Sequence, residues 1–180
     1  MKIIKKSFND IILLEPDIFE DERGYFFESF NNKKFNKLVG RDINFVQDNH
    51  SFSNRGVLRG LHFQNPSPQA KLVRVLGGKV YDVVVDIRKS SPTFGNWAGF
   101  YLDSVKNNML WIPEGYAHGF QVISDKAHFL YKTNNYWDAQ AEQSLKWDDL
   151  ALNIKWPISK PTISKKDNDA PGIEEINLFD

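Results

Sequence analysis

Three short runs of strand-forming residues, separated by a Pro/Ser-rich loop and a Gly-Gly turn, occupy residues 55–88. Valine, leucine, isoleucine and aromatic residues fill the runs, which is typical of consecutive β-strands joined by loops. The last run alternates, with Tyr81, Val83 and Val85 on one face and Asp82 among valines on the other. Because that second face mixes valine with carboxylates, and the neighbouring runs supply basic and amide side chains, the stretch predicts a lined pocket and not a face turned to bulk solvent.

Strand-like segments continue on both sides of this stretch. Residues 25–30, 44–47, 96–105, 108–112, 116–123 and 128–133 each have β-strand composition. Glu28, in the first of these segments, is expected between Phe26 and Phe30 on one strand face. Many short strands with Gly and Pro turns and little helix predict an all-β sandwich or barrel.

Two segments favour helix. Residues 32–39 have apolar residues three positions apart and Gly40 behind them, which predicts a two-turn helix. A short helix is also predicted at residues 139–144. The tail from about residue 157 is rich in Pro, Lys and Asp, and such a tail is solvated unless a residue on it reaches back to the body of the protein.

Composition limits the classes of function. The 180 residues fit one domain, long enough to bury most of the surface of its unfolded chain. Because 23 basic residues balance 23 acidic ones, no net field favours nucleic acid or a membrane surface as a partner. The absence of cysteine excludes disulfides, thiolate catalysis and zinc–thiolate sites. The first 17 residues show no signal-peptide pattern, and we expect a cytoplasmic protein.

The run containing Pro113, Gly115 and His118 resembles the second conserved box of the cupin jelly rolls, in which a Pro-x-Gly turn delivers a histidine into the barrel. The first cupin box has two histidines around one residue, but the matching positions here are His62 and Gln64. A neutral amide is a poor ligand for a transition metal. We therefore expect a cupin-type jelly roll with no metal and no other cofactor.

Several polar side chains are expected to face the interior of such a barrel. They are Arg59, His62, Lys71, Asp82, His118 and Tyr131. Histidine is the natural base near neutral pH, lysine can stabilise an oxyanion, and a tyrosine hydroxyl can return a proton. Each of these residues alone is more often structural than catalytic. Their joint presence favours proton-transfer chemistry over nucleophilic hydrolysis.

Ordered motifs then carry a specific resemblance. They are Asp21-x-Arg23-Gly24-x-Phe26-x-Glu28, Gln47-Asp48-Asn49-His50-Ser51, Gly56-Val57-Leu58-Arg59-Gly60-Leu61-His62-Phe63-Gln64, Lys71-Leu72-Val73-Arg74-Val75, Asp82-Val83-Val84-Val85-Asp86-Ile87-Arg88, Trp111-Ile112-Pro113, Ala117-His118-Gly119-Phe120, Phe129-Leu130-Tyr131-Lys132, Trp147-Asp148-Asp149 and Ser164-Lys165-Lys166-Asp167. Over nearly its whole length the chain resembles the dTDP-4-dehydrorhamnose 3,5-epimerase family, metal-free cupins of nucleotide-sugar metabolism.

That resemblance implies an isomerase of dTDP-rhamnose biosynthesis that converts dTDP-4-dehydro-6-deoxy-D-glucose to dTDP-4-dehydro-L-rhamnose. It also implies a homodimer. By the resemblance His62 is the general base, Asp167 is its partner, Lys71 stabilises the enolate and Tyr131 is the general acid. The substrate-binding residues that it implies are Arg23, Glu28, Gln47, Asn49, Arg59, His118, Glu142 and Lys166.

Three alternatives stay open: an epimerase or ketoisomerase that acts at a single position of another sugar nucleotide, a metal-dependent cupin oxygenase, and a non-catalytic sugar-nucleotide binder. The resemblance also makes one local demand on the backbone. Arg59 and His62 would point to opposite faces of an ideal strand, yet both are expected at the ligand. We therefore predict an irregularity near Gly60, since glycine in a strand often marks a bulge.

Overall fold

The computed structural model describes residues 1–8, 10–176 and 178–179. The strands are β1 (Lys2–Ser7), β2 (Ile11–Glu15), β3 (Ile18–Asp21), β4 (Gly24–Phe27), β5 (Gln47–Asn54), β6 (Leu58–Gln64), β7 (Lys71–Gly77), β8 (Lys79–Asp86), β9 (Trp97–Asp103), β10 (Met109–Ile112), β11 (Tyr116–Val122), β12 (Lys126–Thr133) and β13 (Glu142–Ser144). The helices are α1 (Asn32–Val39) and α2 (Lys165–Asn168).

Two antiparallel sheets form the body of the molecule. One has the order β1-β2-β10-β7-β12-β5 and the other β13-β6-β11-β8-β9, while β3 and β4 form a separate hairpin. The sheets share an apolar core, in which Val73 and Phe129 of the first meet Val84 and Phe120 of the second. From β5 to β8, and again from β10 to β12, successive strands alternate between the two sheets, as in a jelly roll. The prediction of an all-β jelly-roll sandwich is confirmed.

Helix α1 has the predicted bounds, and its two ends explain them. The Asn31 side chain accepts a hydrogen bond from the Lys34 amide (3.0 Å), which satisfies a free donor of the first turn. Gly40 ends the helix at φ 74°, where a residue without a Cβ is favoured. Buried Phe35 anchors the helix on the outer face of the larger sheet beside Trp111 (ring centroids 5.2 Å apart).

Three predicted elements differ in the structure. The strand predicted at residues 25–30 ends at Phe27, because Glu28 instead accepts hydrogen bonds at the start of α1. The strand predicted at residues 44–47 begins only at Gln47, since β12 ends opposite it at Thr133. The helix predicted at residues 139–144 is wrong. A turn there leads into β13, whose backbone pairs with the edge of β6.

The predicted irregularity near Gly60 is confirmed. The pairing of β6 with β11 changes register between His118 and Phe120, opposite this glycine. Gly60 has φ 126°, and a Cβ there would lie 2.5 Å from the Cα of Gly119. Because the register shifts between them, Arg59 and His62 both line one cavity.

The tail lies against the body of the molecule. Thr162 forms a parallel bridge with Val57, and its carbonyl accepts a hydrogen bond from the Leu58 amide (2.9 Å). Further along, the Phe179 carbonyl accepts one from Lys89 (2.9 Å). Short α2 lies between these two attachments and reaches β6. Within the described residues no helix combines the length and hydropathy needed to cross a membrane.

Candidate active site

A cavity of about 210 Å³ opens between the two sheets. Six of the residues predicted from the sequence line it: Arg59, His62, Lys71, His118, Tyr131 and Glu142. They come from β6, β7, β11, β12 and β13, so that both sheets contribute to the wall. Convergence of titratable groups in a partly apolar cavity is typical of ligand-binding and catalytic sites.

His62 and Asp167 form a dyad across the cavity edge. His62 Nε2 lies 2.7 Å from Asp167 Oδ1, although the two residues are 105 positions apart in the chain. The buried carboxylate also accepts from Ser144 Oγ (3.3 Å) and from the Gly60 amide (3.3 Å). Burial alone would raise the pKa of Asp167, but the hydrogen bond and charge of His62, together with hydrogen bonds from Gly60 and Ser164, lower it. Asp167 is thus a carboxylate in hydrogen-bond contact with the imidazole, and such a group can orient the ring and stabilise its protonated form.

Lys71 extends into the same cavity from β7. Burial lowers its pKa to about 8, against the opposing effect of the Glu142 and Asp82 charges. Its Nζ lies 3.5 Å from the His62 carbonyl oxygen. At neutral pH most molecules therefore carry a weakly solvated ammonium group here, which suits the stabilisation of a developing oxyanion.

Tyr131 stands on β12 with its ring partly buried. Burial raises the pKa of its hydroxyl, the charge of Glu142 adds to the increase, and Arg59 opposes it. The phenol therefore stays protonated at neutral pH. It can donate a proton to a carbanion-like centre and cannot act as a resident base.

His118 belongs to a second His–Asp pair, deeper in the wall. Its Nε2 lies 2.9 Å and 3.0 Å from the two oxygens of Asp82, which is fully buried. Burial raises the pKa of Asp82 above its ordinary value, although His118 and Lys71 oppose the increase. The His118 ring stacks on Phe129 with centroids 6.1 Å apart, so that its orientation is fixed.

Glu142 and Lys166 meet at the mouth of the cavity through an ion pair between their side chains. Burial would raise the pKa of Glu142, but the hydrogen bond and charge of Lys166, together with the His62 charge and a hydrogen bond from Trp137, lower it. Glu142 comes from β13 and Lys166 from α2. The pair therefore joins the tail to the wall next to the Asp167 contact.

Gln47 and Asn49 share one side of β5, as predicted, and are joined by a hydrogen bond from Gln47 Nε2 to Asn49 Oδ1 (2.9 Å). Gln47 Oε1 also accepts from the backbone amide of Trp137 (2.9 Å). Trp137 lines the cavity, and the residue is 55% exposed. Analysis of the sequence missed this residue because it lies in a loop, where no alternation assigns a face.

Arg23 and Glu28 lie apart from the cavity. Arg23, on the β3–β4 hairpin, pairs with Asp21 (Nη2 to Oδ2, 2.6 Å). Glu28 is held at the start of α1 by Lys34 Nζ (2.8 Å) and Asn31. A single chain does not bring these two residues to the other predicted site residues.

Comparisons with known proteins agree with this geometry. The family model described as dTDP-4-dehydrorhamnose 3,5-epimerase matches residues 5–175. A dTDP-4-dehydrorhamnose 3,5-epimerase of Shigella flexneri is 55% identical over 180 residues, covering 99% of each chain. The crystal structure of a dTDP-6-deoxy-D-glucose-3,5-epimerase of Legionella pneumophila, in complex with dTDP-4-keto-L-rhamnose, superposes with a TM-score of 0.96 at 44% identity, covering 99% of this chain and 97% of that one.

The chain belongs to the dTDP-4-dehydrorhamnose 3,5-epimerase family. A more distant structural relative acts differently: a 3′-monoepimerase of Streptomyces bikiniensis, in complex with dTDP-quinovose, is 34% identical with a TM-score of 0.87, covering 92% of this chain and 84% of that one. The cupin-type fold is therefore shared by double and single epimerases.

Gln64 has a structural role in this member of the epimerase family. Its Nε2 donates to the carbonyls of Ser67 (2.8 Å) and Tyr136 (3.2 Å), and its Oε1 accepts from the Asp138 amide (2.9 Å). The amide thus holds two loops together at the position where the first cupin box has its second histidine. Among residues 1–8, 10–176 and 178–179, no three His, Asp or Glu side chains are grouped as metal ligands.

Proposed function

We propose that this protein is a dTDP-4-dehydrorhamnose 3,5-epimerase that converts dTDP-4-dehydro-6-deoxy-D-glucose to dTDP-4-dehydro-L-rhamnose without a metal or other cofactor. The observation that carries the proposal is one cavity that joins the His62–Asp167 dyad to Lys71 and Tyr131. Residues 1–180 would act as one domain, with the tail from about residue 157 closing the cavity mouth through Asp167 and Lys166.

The proposed chemistry starts at the keto group, which makes the protons on both flanking carbons removable. His62 takes a proton from one face, and Asp167 stabilises the imidazolium that forms. The ammonium of Lys71 stabilises the enolate oxygen. Tyr131 then donates a proton to the opposite face, which inverts the carbon. Each such proton-transfer role contributes on the order of 10²- to 10⁴-fold in rate.

We propose that polar groups around the cavity bind the substrate. Arg59 presents a guanidinium, which can bind phosphate oxygens in a bidentate manner. The exposed indole of Trp137 offers a flat surface at the cavity for the thymine base. The remaining contacts would come from a set of polar residues on the walls and mouth, namely Gln47, Asn49, His118, Glu142 and Lys166.

Deuterium exchange separates the two proton-transfer roles. Tyr131→Phe removes the donor and keeps the ring, so the enolate should still form and His62 should return a proton only to the original face. In deuterated water we expect label in the recovered substrate with retained configuration and little epimer. His62→Asn should abolish both exchange and epimerisation, whereas Tyr101→Phe, at an exposed tyrosine of β9, should change neither. Epimerisation by Tyr131→Phe at the parent rate would remove Tyr131 from the mechanism.

A single-position epimerase is the second candidate, favoured by the similarity to the monoepimerase of Streptomyces bikiniensis. The same labelling experiment distinguishes the two. A 3,5-epimerase incorporates deuterium at both carbons that flank the keto group, whereas a monoepimerase incorporates it at one. Label at one carbon in the product of the parent enzyme would overturn the 3,5 assignment.

We further propose that the protein works as a homodimer in which the β3–β4 hairpin reaches the partner. Phe26 on this hairpin is 73% exposed, and Tyr25 is 61% exposed. Phe52 and Leu76 add exposed apolar surface on the outer face of the larger sheet. Because Arg23 lies apart from the cavity of its own chain, the dimer would bring it to the substrate of the partner.

Mixing two inactive variants tests this arrangement. An Arg23→Ala chain keeps its own His62, and a His62→Asn chain keeps its own Arg23. If Arg23 acts across the dimer, a mixed dimer contains one intact site, and activity should reappear when the variants are refolded together. Light scattering should show a dimer at micromolar concentration. A monomer, or a mixture without recovered activity, would contradict the proposal.

A further inference from the structure

Ser144 is a buried serine behind the His62–Asp167 dyad. It lies on β13, is 7% exposed, and is the register partner of His62 on β6. Its Oγ lies 3.3 Å from Asp167 Oδ1, the same oxygen that contacts His62 Nε2 at 2.7 Å. Ser144 stands outside the lining of the cavity, so its hydroxyl can affect the reaction only through the carboxylate.

The direction of this hydrogen bond follows from the charge of Asp167. The pKa of Asp167 lies below its ordinary value, so the group is a carboxylate at neutral pH and can only accept. The hydroxyl of Ser144 is therefore the donor to Oδ1. The Gly60 amide donates to the other oxygen, Oδ2 (3.3 Å). Both oxygens are thus held, and at Oδ1 the serine shares the negative charge with the imidazole.

Strand β13 holds α2 through two side chains on one of its faces. Glu142 pairs with Lys166, and Ser144, two residues further along, contacts Asp167. The backbone of β13 is itself paired with β6, the strand that carries His62. The hydroxyl, the carboxylate and the imidazole are therefore mounted on elements that are attached to one another.

We propose that Ser144 is a positioning residue that, by donating to Asp167, limits how strongly the carboxylate holds a proton on His62. This assignment rests on the function proposed above and adds one residue to its proton-transfer groups. A general base must be unprotonated when the substrate binds, whereas a carboxylate partner favours the protonated imidazole. A donor that shares Oδ1 stabilises the negative charge of Asp167 and weakens its attraction for the imidazolium. The neutral imidazole then persists to lower pH.

Other charged and titratable groups surround His62. They are Arg59 on β6, Lys71 on β7, His118 on β11, Tyr131 on β12, Glu142 on β13 and Lys166 on α2. Substitution of Ser144 removes none of them, so they act alike in the parent and in each variant. The ratio of variant to parent activity therefore isolates the Ser144 contact, even near pH 8, where Lys71 loses its proton.

The pH dependence of kcat/KM tests the proposal. In Ser144→Ala we expect the acid limb to move to higher pH by about 0.5 to 1 pH unit. Activity relative to the parent should therefore fall about 3- to 10-fold at about pH 6 and stay close to the parent at about pH 8.5. The change is modest because 3.3 Å is a long hydrogen bond. The affinity for dTDP should not change, since no contact with the ligand is removed.

Ser144→Thr and Ser144→Val form a matched pair, because the two side chains have nearly the same size and only threonine keeps a hydroxyl. Ser144→Thr should retain the pH profile of the parent, and Ser144→Val should reproduce the change seen in Ser144→Ala. In an Asp167→Asn background, Ser144→Ala should have no further effect on the profile, because the group through which it acts carries no charge.

Three results would overturn the assignment. A decrease by the same factor at both pH values, or equal profiles for the threonine and valine variants, would make Ser144 a structural residue. An unchanged profile in Ser144→Ala would remove it from the reaction. A parent protein that does not epimerise dTDP-4-dehydro-6-deoxy-D-glucose would overturn the proposed function and this inference with it, whereas an active parent with unshifted variants would overturn this inference alone.

Discussion

Replacing Lys71 by methionine should make the protein more stable and nearly inactive. The folded pKa of Lys71 is about 8, against 10.5 for the ordinary side chain, because burial disfavours the ammonium. At about 1.4 kcal/mol per pKa unit, folding with this group charged costs about 3 kcal/mol. Methionine has similar length, no charge and good packing properties, so Lys71→Met should recover up to about 3 kcal/mol of unfolding free energy at pH 7.

The difference in unfolding free energy between the parent and Lys71→Met should depend on pH. The unfolded chain binds this proton more tightly than the folded protein does, so the stability of the parent rises with pH between the folded and the unfolded pKa values. The penalty is complete below pH about 8 and disappears as the pH approaches 10.5. The stability advantage of Lys71→Met should therefore be full at neutral pH and shrink through that window.

Urea denaturation at pH 7 and at about pH 9.5 measures the difference. Lys126→Met, at an exposed position of β12, is the matched control and should change stability by less than about 0.5 kcal/mol at either pH. Turnover by Lys71→Met should fall about 10²- to 10³-fold, the usual effect of removing one oxyanion-stabilising group. A variant less stable than the parent at pH 7, or an advantage that does not vary with pH, would refute the reasoning.

Three other variants address separate contacts. Asp167→Asn should lower turnover about 10²-fold or more with dTDP affinity unchanged, because an amide cannot stabilise the imidazolium; full activity in a steady-state assay would exclude Asp167. Burial would raise the pKa of Asp86, but hydrogen bonds, chiefly from Arg88, lower it to about 2. Asp86→Asn should thus lose about 2 kcal/mol of unfolding free energy at pH 7, and in acid titrations the loss should vanish as the pH falls from 3.8 to about 2; a constant loss would contradict this. Gly119→Ala would place a Cβ 2.7 Å from the backbone of β6 and should cost about 2 kcal/mol or more in urea, whereas Gly77→Ala meets a side-chain atom at 3.6 Å and should cost far less; equal losses would exclude the clash.

Local patterns predicted the parts of the fold that local forces determine. Alternation assigned the faces of β8, where Asp82 is buried against His118. The two-turn helix was predictable because Gly40 marks its end. The irregularity at Gly60 was predictable because two residues that flank it were assigned to one ligand. By contrast, β13 forms only because β6 offers a free edge, and no residue within 139–144 signals that distant pairing.

The site was less accessible to local reasoning. The resemblance, and no pattern in the tail, supplied Asp167, whose partner lies 105 positions earlier. Trp137 lies in a loop without periodicity, so that no alternation could place it in the cavity wall. Arg23 lies apart from the cavity of its own chain, and no local pattern near it predicted that separation. Long-range contacts of this kind require coordinates, because chain distance does not reveal them.

The dyad joins groups that are synthesised at different times. His62 and the cavity walls leave the ribosome well before α2, which follows the last wall strand by 20 residues. A chain cut between β13 and Ser164 would lose Asp167 and Lys166, and with them Ile173 and Leu178 of the apolar core. A break in the tail would therefore remove the carboxylate, a proposed substrate contact and part of the packing at once. An intact tail is thus a condition for both the chemistry and the fold.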